Sequence, residues 1–400
     1  AGRRTVGVAP ACRLPRLSHK FRKEGTLWDT LEERVWSMGD YVDESPRVAR
    51  ENLARADELT EPLVVCCGGR VPARIRLVAS GSSFNACQCA LPFMASCLPG
   101  VQIDVVTPHR FTYYEPEVRE GELVAVVTQS GLSTNALEAL DVIRAQGARA
   151  VCLTGNVGAD ARDHADVMVD WGAGTELVGY VTKGVTTLAL FLMMFAARLG
   201  GRPERMADLA AAVEVLDAVR ASTYEFYRAH EKALTSMRLS YSIAADGARG
   251  VALEGALKIG ETVHVPSPAY EVEEFIHGPN LQITPAYTMF FFDAPDAARE
   301  RCRLIYRAAR EVSDAAFLVT SAQAAEPAST AELAGDPNVL VAPELPAADL
   351  ASFAYLPFVQ LVSHLASSAL GSSKQHPLLK RFKAIAAAKT ENFVNYDGDD

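Results

Sequence analysis

Apolar runs that end in small hydroxylated residues recur along this chain, and they constrain its fold more than any other feature. The segments LVASGSS at Leu77–Ser83 and VVTQSGLST at Val126–Thr134 each close a continuous apolar stretch with serine, threonine and glycine. Helical periodicity follows both segments. Continuous apolar strands that alternate with helices are typical of a parallel sheet covered on both faces. The pattern therefore predicts an α/β fold built on a doubly wound parallel sheet.

The alternation predicts individual elements. The predicted strands of the first half are Arg74–Ser80, Val101–Thr107, Leu123–Thr128, Ala148–Thr154 and the edge strand Val167–Trp171. The predicted helices between and after them are Asn85–Leu98, Ser133–Gln146 and Val181–Leu199. A helical connector at Met206–Leu234 leads to further strands at Tyr287–Phe292, Ala316–Thr320 and Val339–Val341 and to a closing helix at Ala348–Leu370.

The second half repeats the design of the first. LSYSIAADGARGVALEGALKI at Leu239–Ile259 resembles IRLVASGSSFNACQCALPF at Ile75–Phe93, and FLVTSAQ resembles AVVTQSG. We interpret this as a degenerate internal duplication that gives two tandem flavodoxin-like domains. The predicted segments are a disordered basic arm at 1–25, a helical segment at 26–63, the two domains at 64–215 and 225–370, and a tail at 371–400.

Composition narrows the class of partner. Lys and Arg total 39 against 49 for Asp and Glu, so the net charge is −10. A chain this acidic is not expected to bind nucleic acid or an anionic membrane surface. The apolar stretch TTLALFLMMFAA is too short to span a bilayer, and no signal peptide is evident. The eight cysteines show neither CxxC nor zinc-ligand spacing, which predicts reduced thiols, a cytoplasmic protein and no metal or other cofactor.

The hydroxyl clusters predict an anion site. In a doubly wound sheet the carboxyl ends of the strands meet the amino ends of helices, whose free N–H groups and dipoles bind anions. One serine or threonine here is adequately explained as a helix N-cap. Several hydroxyls that converge at two strand ends favour a phosphate held by neutral donors, as in a sugar phosphate. The chain has no GxxxxGK[ST] motif, so a nucleoside triphosphate is not expected.

Four motifs carry a resemblance to a known family. SGSSFNA, TQSGLSTNALEAL, GAGTELVGYVTKGVTT and LEGALKIGETVHVPSPAYEVEEFIHGP stand in this order between about Met38 and Leu370. Together they resemble the sugar isomerase (SIS) domain family. The resemblance is closest to the isomerase half of glutamine–fructose-6-phosphate aminotransferase and to stand-alone glucosamine-6-phosphate deaminases and fructosamine-type 6-phosphate deglycases. It implies that the phosphate of a hexose 6-phosphate is held by Ser82, Ser83, Thr128, Gln129, Ser130 and Ser133. Leu132 departs from the family, which usually has glutamate there.

The last motif carries the predicted catalytic groups. Lys258 and Glu261 are three residues apart, so they share a face of a helix. By itself such a pair is more often an exposed ion pair. Aldose–ketose interconversion, however, needs a base that moves a proton between C1 and C2, and a carboxylate does this well. The resemblance implies that Glu261 shuttles the proton, that Lys258 assists, and that His277 of HGP opens the ring from the neighbouring subunit. His264, closer to Glu261 in sequence, is the rival histidine.

Other charged positions are interpreted more modestly. Glu254 is explained as a first-turn carboxylate that complements the helix dipole. Lys183 matches a family lysine, and the alternative is a purely structural role in which it caps the preceding turn. The family also has a tail lysine that can form a Schiff base with the open sugar, for which Lys383 is the candidate and Lys380 and Lys389 are the alternatives.

The predicted function follows from these residues. The chain before Ser80 leaves no room for a glutaminase domain, and Cys12 is not N-terminal, so glutamine is not expected as the ammonia source. We predict an enzyme that releases an amine from an amino-sugar 6-phosphate, either a glucosamine-6-phosphate deaminase or a deglycase of an amino-acid sugar phosphate. The predicted assembly is a homodimer with a shared active site. The alternatives are a simple ketose/aldose phosphate isomerase and a non-catalytic phosphosugar-binding sensor.

Overall fold

The computed structural model describes residues 36–322, 333, 335–372 and 376–393. The disordered arm predicted at 1–25 lies outside the described residues.

Two five-stranded sheets organise the chain. The strands of the first sheet are β1 (Arg74–Ala79), β2 (Gln102–Val106), β3 (Glu122–Thr128), β4 (Val151–Thr154) and β5 (Val167–Asp170). Those of the second are β6 (Leu239–Ala244), β7 (Ala269–Glu271), β8 (Tyr287–Phe292), β9 (Ala316–Ser321) and β10 (Val339–Ala342).

The helices of the first half are α1 (Met38–Ala54), α2 (Ala56–Cys66), α3 (Gly81–Cys97), α4 (Pro108–Tyr114), α5 (Thr134–Ala145), α6 (Ala161–His164), α7 (Lys183–Leu199) and α8 (Arg205–Thr235). Those of the second half are α9 (Arg249–Lys258), α10 (Val272–Ile276), α11 (Arg299–Arg310), α12 (Ala351–Ala354), α13 (Leu356–Leu370) and α14 (Leu378–Ala386). Short 3₁₀ turns at Asp246–Ala248, Pro279–Gln282 and Ala348–Leu350 and a π-helical turn at Ile259–Val263 complete the described elements.

The two sheets share one topology. The first has the order β2-β1-β3-β4-β5 and the second β10-β9-β8-β6-β7, and the strand pairs are parallel. Numbered from its own first strand, each sheet has the flavodoxin-like order 2-1-3-4-5, with a switch point between its first and third strands. The predicted fold class, two tandem doubly wound parallel-sheet domains, is confirmed.

The main apolar core lies between the halves. One cluster of buried residues combines Phe93 of α3 and Phe191 of α7 with Val319 of β9 and Phe358 of α13. Helices α3 and α9 approach so closely that a Cβ on Gly250 would lie 2.4 Å from the backbone nitrogen of Cys89. Glycine is therefore required at this crossing. The contact packs the middle of α3 against the first turn of α9, the helix that carries Lys258.

The stretch Ala348–Leu370 belongs to this core. Within the part of the chain that the structure describes, it is long and apolar enough to cross a membrane, but 89% of its apolar window is buried inside the fold. The predicted single helix is divided at Tyr355 into α12 and α13. Pro357, which has no N–H to donate, lies in the first turn of α13, where that loss costs least.

Helix α3 begins earlier than predicted. The sequence pattern places its start at Asn85, whereas the structure starts it at Gly81, so that Ser82 and Ser83 lie in the first helical turn. Gly81 adopts a φ of +56°, which turns the chain directly from strand to helix. The serines therefore stand where the free N–H groups of the helix are exposed.

Candidate functional site

A cavity of about 830 Å³ opens at the switch point of the first sheet. It lies beyond the carboxyl ends of β1 and β3 and continues past the loop Gly174–Gly179 to the end of α9. The residues predicted to hold a phosphate all line it, namely Ser82, Ser83, Thr128, Gln129, Ser130 and Ser133. Glu261 lines the same cavity. The structure therefore brings the two hydroxyl clusters and the predicted base together.

Two helix amino ends face this cavity. Helix α3 contributes Gly81, Ser82 and Ser83, and α5 begins directly after Ser133. Gly131 adopts a φ of +66°, and a Cβ there would lie 2.6 Å from the Cβ of Ala159. The turn between β3 and α5 thus depends on glycine. Free N–H groups, helix dipoles and hydroxyls at this point form an arrangement that binds anions without a cluster of cations.

The hydroxyl of Ser82 is tied to the second domain. It donates to Glu254 Oε1 at 3.1 Å and accepts from Lys258 Nζ at 3.0 Å. Asn85 Nδ2 donates to the other Glu254 oxygen at 2.8 Å. A hydroxyl has one proton to donate, so Ser82 presents only its backbone N–H to an anion while this bond is made. The remaining hydroxyls of the cluster are better placed for a phosphate.

Glu254 was interpreted wrongly from the sequence. It is the sixth residue of α9, not a first-turn carboxylate, and it is completely buried. Its partners are Ser82, Asn85 and Lys258, the last at 3.3 Å. Burial raises the pKa of the Glu254 carboxyl, and the Lys258 ammonium opposes that shift. The helix start is set by the preceding 3₁₀ turn at Asp246–Ala248, which the apolar pattern did not reveal.

Lys258 and Glu261 form a close pair rather than an exposed one. Lys258 ends α9 and is completely buried, and its Nζ lies 2.5 Å from Glu261 Oε1. Glu261 stands in the π-helical turn Ile259–Val263 with its side chain 29% exposed. Such turns are rare and occur often at functional sites. Burial disfavours the ammonium, but Glu254 and Glu261 outweigh it and raise the pKa of Lys258, so that this lysine stays charged.

Glu176 is a residue of the cavity that sequence reasoning missed. One of its carboxylate oxygens accepts from the backbone N–H groups of Thr182 and Lys183, and the other accepts from Gly184 and from Gln129 Nε2. Burial raises the pKa of its carboxyl. The carboxylate thus caps the amino end of α7 and fixes the Gln129 amide at the edge of the cavity. The sequence feature that could have indicated Glu176 is the turn GAGTE, which precedes an apolar helix.

Lys183 has a structural role in this chain. Its Nζ donates to Glu44 Oε1 at 2.8 Å and to the carbonyl of Thr175 at 2.9 Å. The second bond agrees with the capping role that the sequence suggested, and the first joins the loop to α1.

The tail lysine at the cavity is Lys389. Its Nζ donates to Ser133 Oγ at 2.8 Å and to Ser130 Oγ at 3.3 Å, and its backbone forms an antiparallel bridge with Ser133. Removal of water from the ammonium lowers its pKa. Lys383, the predicted candidate, and Lys380 lie on exposed α14 and do not line the cavity. Helix α14 lies between α13 and the extended residues around Lys389. Sequence periodicity did not locate the end of α14, so it did not show which tail lysine follows the helix.

The bridge between the tail and the loop does not depend on the side chain at Leu132, where the family usually has glutamate. The Leu132 carbonyl accepts from the backbone N–H of Thr390 at 2.9 Å, and its side chain lines the cavity. The tail therefore pairs with the loop through backbone groups, which leucine supplies as well as glutamate does.

The two candidate histidines are exposed outside the cavity of their own chain. His277 follows α10 as an exposed residue, and His264 is exposed in the left-handed region with a φ of +62°. Neither lines the cavity.

Comparison with known proteins agrees with the fold. Residues 70–197 match the family model described as the SIS domain. The chain is 28% identical over 275 residues to the glutamine–fructose-6-phosphate aminotransferase [isomerizing] of Symbiobacterium thermophilum, which covers 65% of this chain and 45% of that protein. It therefore spans about half the length of the curated relatives it matches.

Two solved structures show the same fold. The C-terminal domain of glucosamine–fructose-6-phosphate aminotransferase from Francisella tularensis has a TM-score of 0.73 at 18% identity, covering 85% of this chain and 98% of that one. Glucosamine-6-phosphate deaminase from Thermotoga maritima has a TM-score of 0.62 at 17% identity, and the match covers 83% of this chain and 98% of that one.

Proposed function

Because residues 70–197 of this chain form an SIS domain, we propose that the chain is an enzyme that releases an amine from an amino-sugar 6-phosphate. One observation carries the proposal: two clusters of neutral donors and the carboxylate of Glu261, paired with a buried lysine, line a single cavity. A phosphate bound by the clusters leaves the sugar chain to extend toward the carboxylate.

The phosphate is assigned to the amino ends of α3 and α5. Ser83, Thr128, Ser130 and Ser133 offer hydroxyls there, and the backbone N–H groups add to them. Lys389, which already contacts Ser130 and Ser133, supplies a positive charge beside the phosphate. This favours Lys389 as a phosphate-binding residue over the Schiff-base role that the family resemblance implies for a tail lysine.

The chemistry is a proton transfer followed by hydrolysis. In open-chain glucosamine 6-phosphate, Glu261 removes the proton on C2 and returns it to C1, which turns the C1 aldehyde into an alcohol and the C2 amine into an imine. Water adds to C2 and ammonia leaves, which gives fructose 6-phosphate. Lys258 is held charged by two carboxylates. It does not line the cavity, so it assists through its 2.5 Å contact with Glu261 rather than by direct contact with the sugar. Where the amine is instead on C1 of a ketose, transfer from C1 to C2 gives a C1 imine, and hydrolysis releases the amine with an aldose 6-phosphate.

Ring opening requires a further acid or base, and His277 is assigned to it from a second copy of the chain. The histidine is exposed and lies outside the cavity of its own chain. A homodimer in which the partner subunit's His277 reaches the cavity would complete the site.

Amine release is supported by the names of the curated relatives and of one structural neighbour, whereas other structural neighbours are named as phosphosugar isomerases. The curated relatives are named as aminotransferases of fructose 6-phosphate, and one structural neighbour is named as a glucosamine-6-phosphate deaminase. Both names combine a hexose 6-phosphate with movement of an amino group.

The test is a ¹H and ¹³C NMR assay of the purified chain with three substrates offered separately: glucosamine 6-phosphate, fructose 6-phosphate with ammonia, and glycated-lysine 6-phosphate. We expect turnover of at least one nitrogen-containing substrate and none in the Glu261→Gln variant. Conversion of fructose 6-phosphate to glucose 6-phosphate with no amine chemistry would overturn the proposal in favour of an isomerase. Tight phosphosugar binding with no turnover would overturn it in favour of a sensor.

A further inference from the structure

One face of α1 contacts a segment that lines the cavity. Glu44 and Asn52 follow Tyr41 by three and eleven residues, which is close to one and three helical turns, so the three side chains share this face. Tyr41 and Asn52 are buried, and the Glu44 side chain is 20% exposed. None of these residues lines the cavity itself. They act on the segment at residues 172–177, either directly or through Lys183.

The loop at residues 174–179 lines the cavity and has neither helix nor strand. Its shape therefore depends on bonds to other elements. The Leu177 N–H donates to Tyr41 Oη at 2.8 Å. Two residues earlier, the Thr175 carbonyl accepts from Lys183 Nζ at 2.9 Å. The backbone of the loop is thus held at two points by side chains that come from outside it.

The bond to Thr175 also depends on α1. Lys183 is 2% exposed, and its ammonium lies 2.8 Å from a carboxylate oxygen of Glu44. A buried ammonium requires a paired charge, so Glu44 decides where this side chain can lie. The same ammonium lies 5.1 Å from the centre of the Tyr41 ring. Tyr41 and Glu44 therefore fix neighbouring points of the loop from one turn of the helix.

The packing between α1 and this segment is close. Asn52 Nδ2 donates to the Gly172 carbonyl at 3.0 Å, and a Cβ on Gly172 would lie 2.7 Å from the same nitrogen. Gly172 also has a φ of +78°, so glycine is required there for two reasons. On the opposite face of α1, Asp43 pairs with Arg220 of α8 at 2.9 Å. The helix thus lies between α8 and the wall of the cavity.

We propose that Tyr41 and Glu44 are positioning residues of the candidate site. They hold the loop at residues 174–179 in the shape that completes the cavity wall, and their loss weakens binding of a sugar phosphate that neither of them touches. The phosphate is assigned to the amino ends of α3 and α5, so the loop contacts the sugar part of the ligand. The identity of the ligand rests on the function proposed above, whereas the hold on the loop does not.

The first measurement is hydrogen–deuterium exchange of the full chain without ligand. In Tyr41→Phe the Leu177 N–H loses its acceptor, so peptides that contain the loop should exchange at least about fivefold faster, the effect of one ordinary hydrogen bond. Glu44→Gln should act in the same direction, because a neutral amide holds the Lys183 ammonium less strongly. Burial raises the pKa of Tyr41 to about 12, so Tyr41→Phe removes a neutral group and tests the proposal even if Glu44→Gln does not fold.

The second measurement is isothermal titration calorimetry with two probes, fructose 6-phosphate and inorganic phosphate. Tyr41→Phe and Glu44→Gln should each bind fructose 6-phosphate at least about fivefold more weakly than the wild type. Their affinity for inorganic phosphate should stay within about twofold. Inorganic phosphate requires only the helix amino ends and Gln129, which is held by Glu176 without any bond to α1. A purely structural role of the two residues would not separate the probes.

Two matched controls lose comparable contacts elsewhere. Asp43→Asn changes the neighbour of Glu44 on α1, but its partners Arg220 and Tyr224 belong to α8. Tyr306→Phe removes another buried tyrosine hydroxyl, which donates to Asp336 at 2.8 Å in the second domain. Both controls should leave the exchange of the loop and both affinities within about twofold of the wild type.

The outcomes separate the positioning role from the proposed function. Unchanged exchange of the loop in Tyr41→Phe overturns the positioning role, whatever the ligand. Faster exchange with unchanged affinity for fructose 6-phosphate also overturns it, and so does equal weakening of both probes or a matching effect in either control. If the wild type does not bind fructose 6-phosphate, faster exchange in the two variants alone still supports the hold on the loop, and only the proposed function fails.

Discussion

The ammonium of Lys258 lies between two carboxylates that differ in exposure. Glu254 is completely buried and held by Ser82 and Asn85, whereas Glu261 lines the cavity. One cation thus neutralises a fixed inner carboxylate while it pairs with an outer one that lines the cavity. In the proposed reaction only the outer carboxylate exchanges a proton with the sugar, so the two acids, seven residues apart, are assigned different roles.

Glu261→Gln tests this division. Since a general base contributes about 10²- to 10⁴-fold, kcat should fall by that factor, while KM stays within about tenfold because the phosphate supplies most of the binding. The measurement is steady-state kinetics with whichever amino-sugar phosphate is turned over. Glu231→Gln, at an exposed position on α8, is the matched control and should leave kcat unchanged. An equal loss of binding and turnover would argue against Glu261 as the base.

Lys389 should titrate below an ordinary lysine. Loss of water around its ammonium lowers its pKa from the usual 10.5, so the neutral amine forms at lower pH than in an exposed side chain. Reductive methylation followed by mass spectrometry across pH 7 to 11 should therefore show a lower midpoint for Lys389 than for the lysine of a short model peptide added to the same sample. Inorganic phosphate should raise the Lys389 midpoint, because an anion nearby favours the ammonium. A midpoint that phosphate does not move would contradict the assigned contact.

At the scale of elements, the site depends on how strands pass into helices. Ser82 and Ser83 reach the cavity because Gly81 turns the chain at once from β1 to α3, and Ser133 does so because Gly131 allows the turn after β3. The lengths of these turns decide which N–H groups face the cavity. The hydroxyls and the helix amino ends are therefore one structural unit.

Gly131→Ala should destabilise the protein more than an equivalent change elsewhere. The substitution has both a positive φ and a 2.6 Å contact with Ala159. Gly147→Ala has a similar φ of +72° but no atom within 4 Å of the new Cβ, so it isolates the backbone cost of about 1 kcal/mol. Chemical denaturation should show a loss of about 2 to 4 kcal/mol in the free energy of unfolding for Gly131→Ala. Equal losses for the two variants would contradict the steric argument.

At the scale of the molecule, the two sheets have the same topology but contribute different parts of the candidate site. The first sheet provides the hydroxyl-lined switch point, and the second provides α9 with Lys258 and Glu261. The corresponding edge of the second sheet is filled by a buried cluster in which Arg303 and Arg299 pair with Asp293. The close contact of α3 with α9 joins the two contributions in one cavity.

The shared site can be tested by mixing subunits. Chains with Glu261→Gln and chains with His277→Ala should each be inactive alone. After mixing and exchange at equal amounts, half of the dimers are mixed and each has one intact site, so about a quarter of the wild-type activity should return. The measurement is the initial rate of amine release. No recovery, with exchange verified by mass spectrometry, would exclude a site completed by the partner.

Local pattern was sufficient for most of the secondary structure. The bounds of β8 at Tyr287–Phe292 agree with the prediction residue for residue, because a continuous apolar run between turn signals identifies a buried strand. The three-residue edge strand β7 and the π-helical turn were missed, since neither is long enough to show a period. The π-helical turn contains Glu261, so this local irregularity lies at the proposed site.

The sequence by itself determined the fold class, the duplication and the two hydroxyl clusters, because these depend on hydrophobic periodicity and on turn chemistry within short windows. Only the tertiary structure decided which side chains meet. Ser82 donates a hydrogen bond to Glu254, and Glu176 caps α7 and accepts from Gln129. Lys389, rather than Lys383, reaches the cavity. These contacts join residues far apart in the chain. Their partners are fixed by the packing of α3 on α9 and by the path of the tail, which periodicity does not encode.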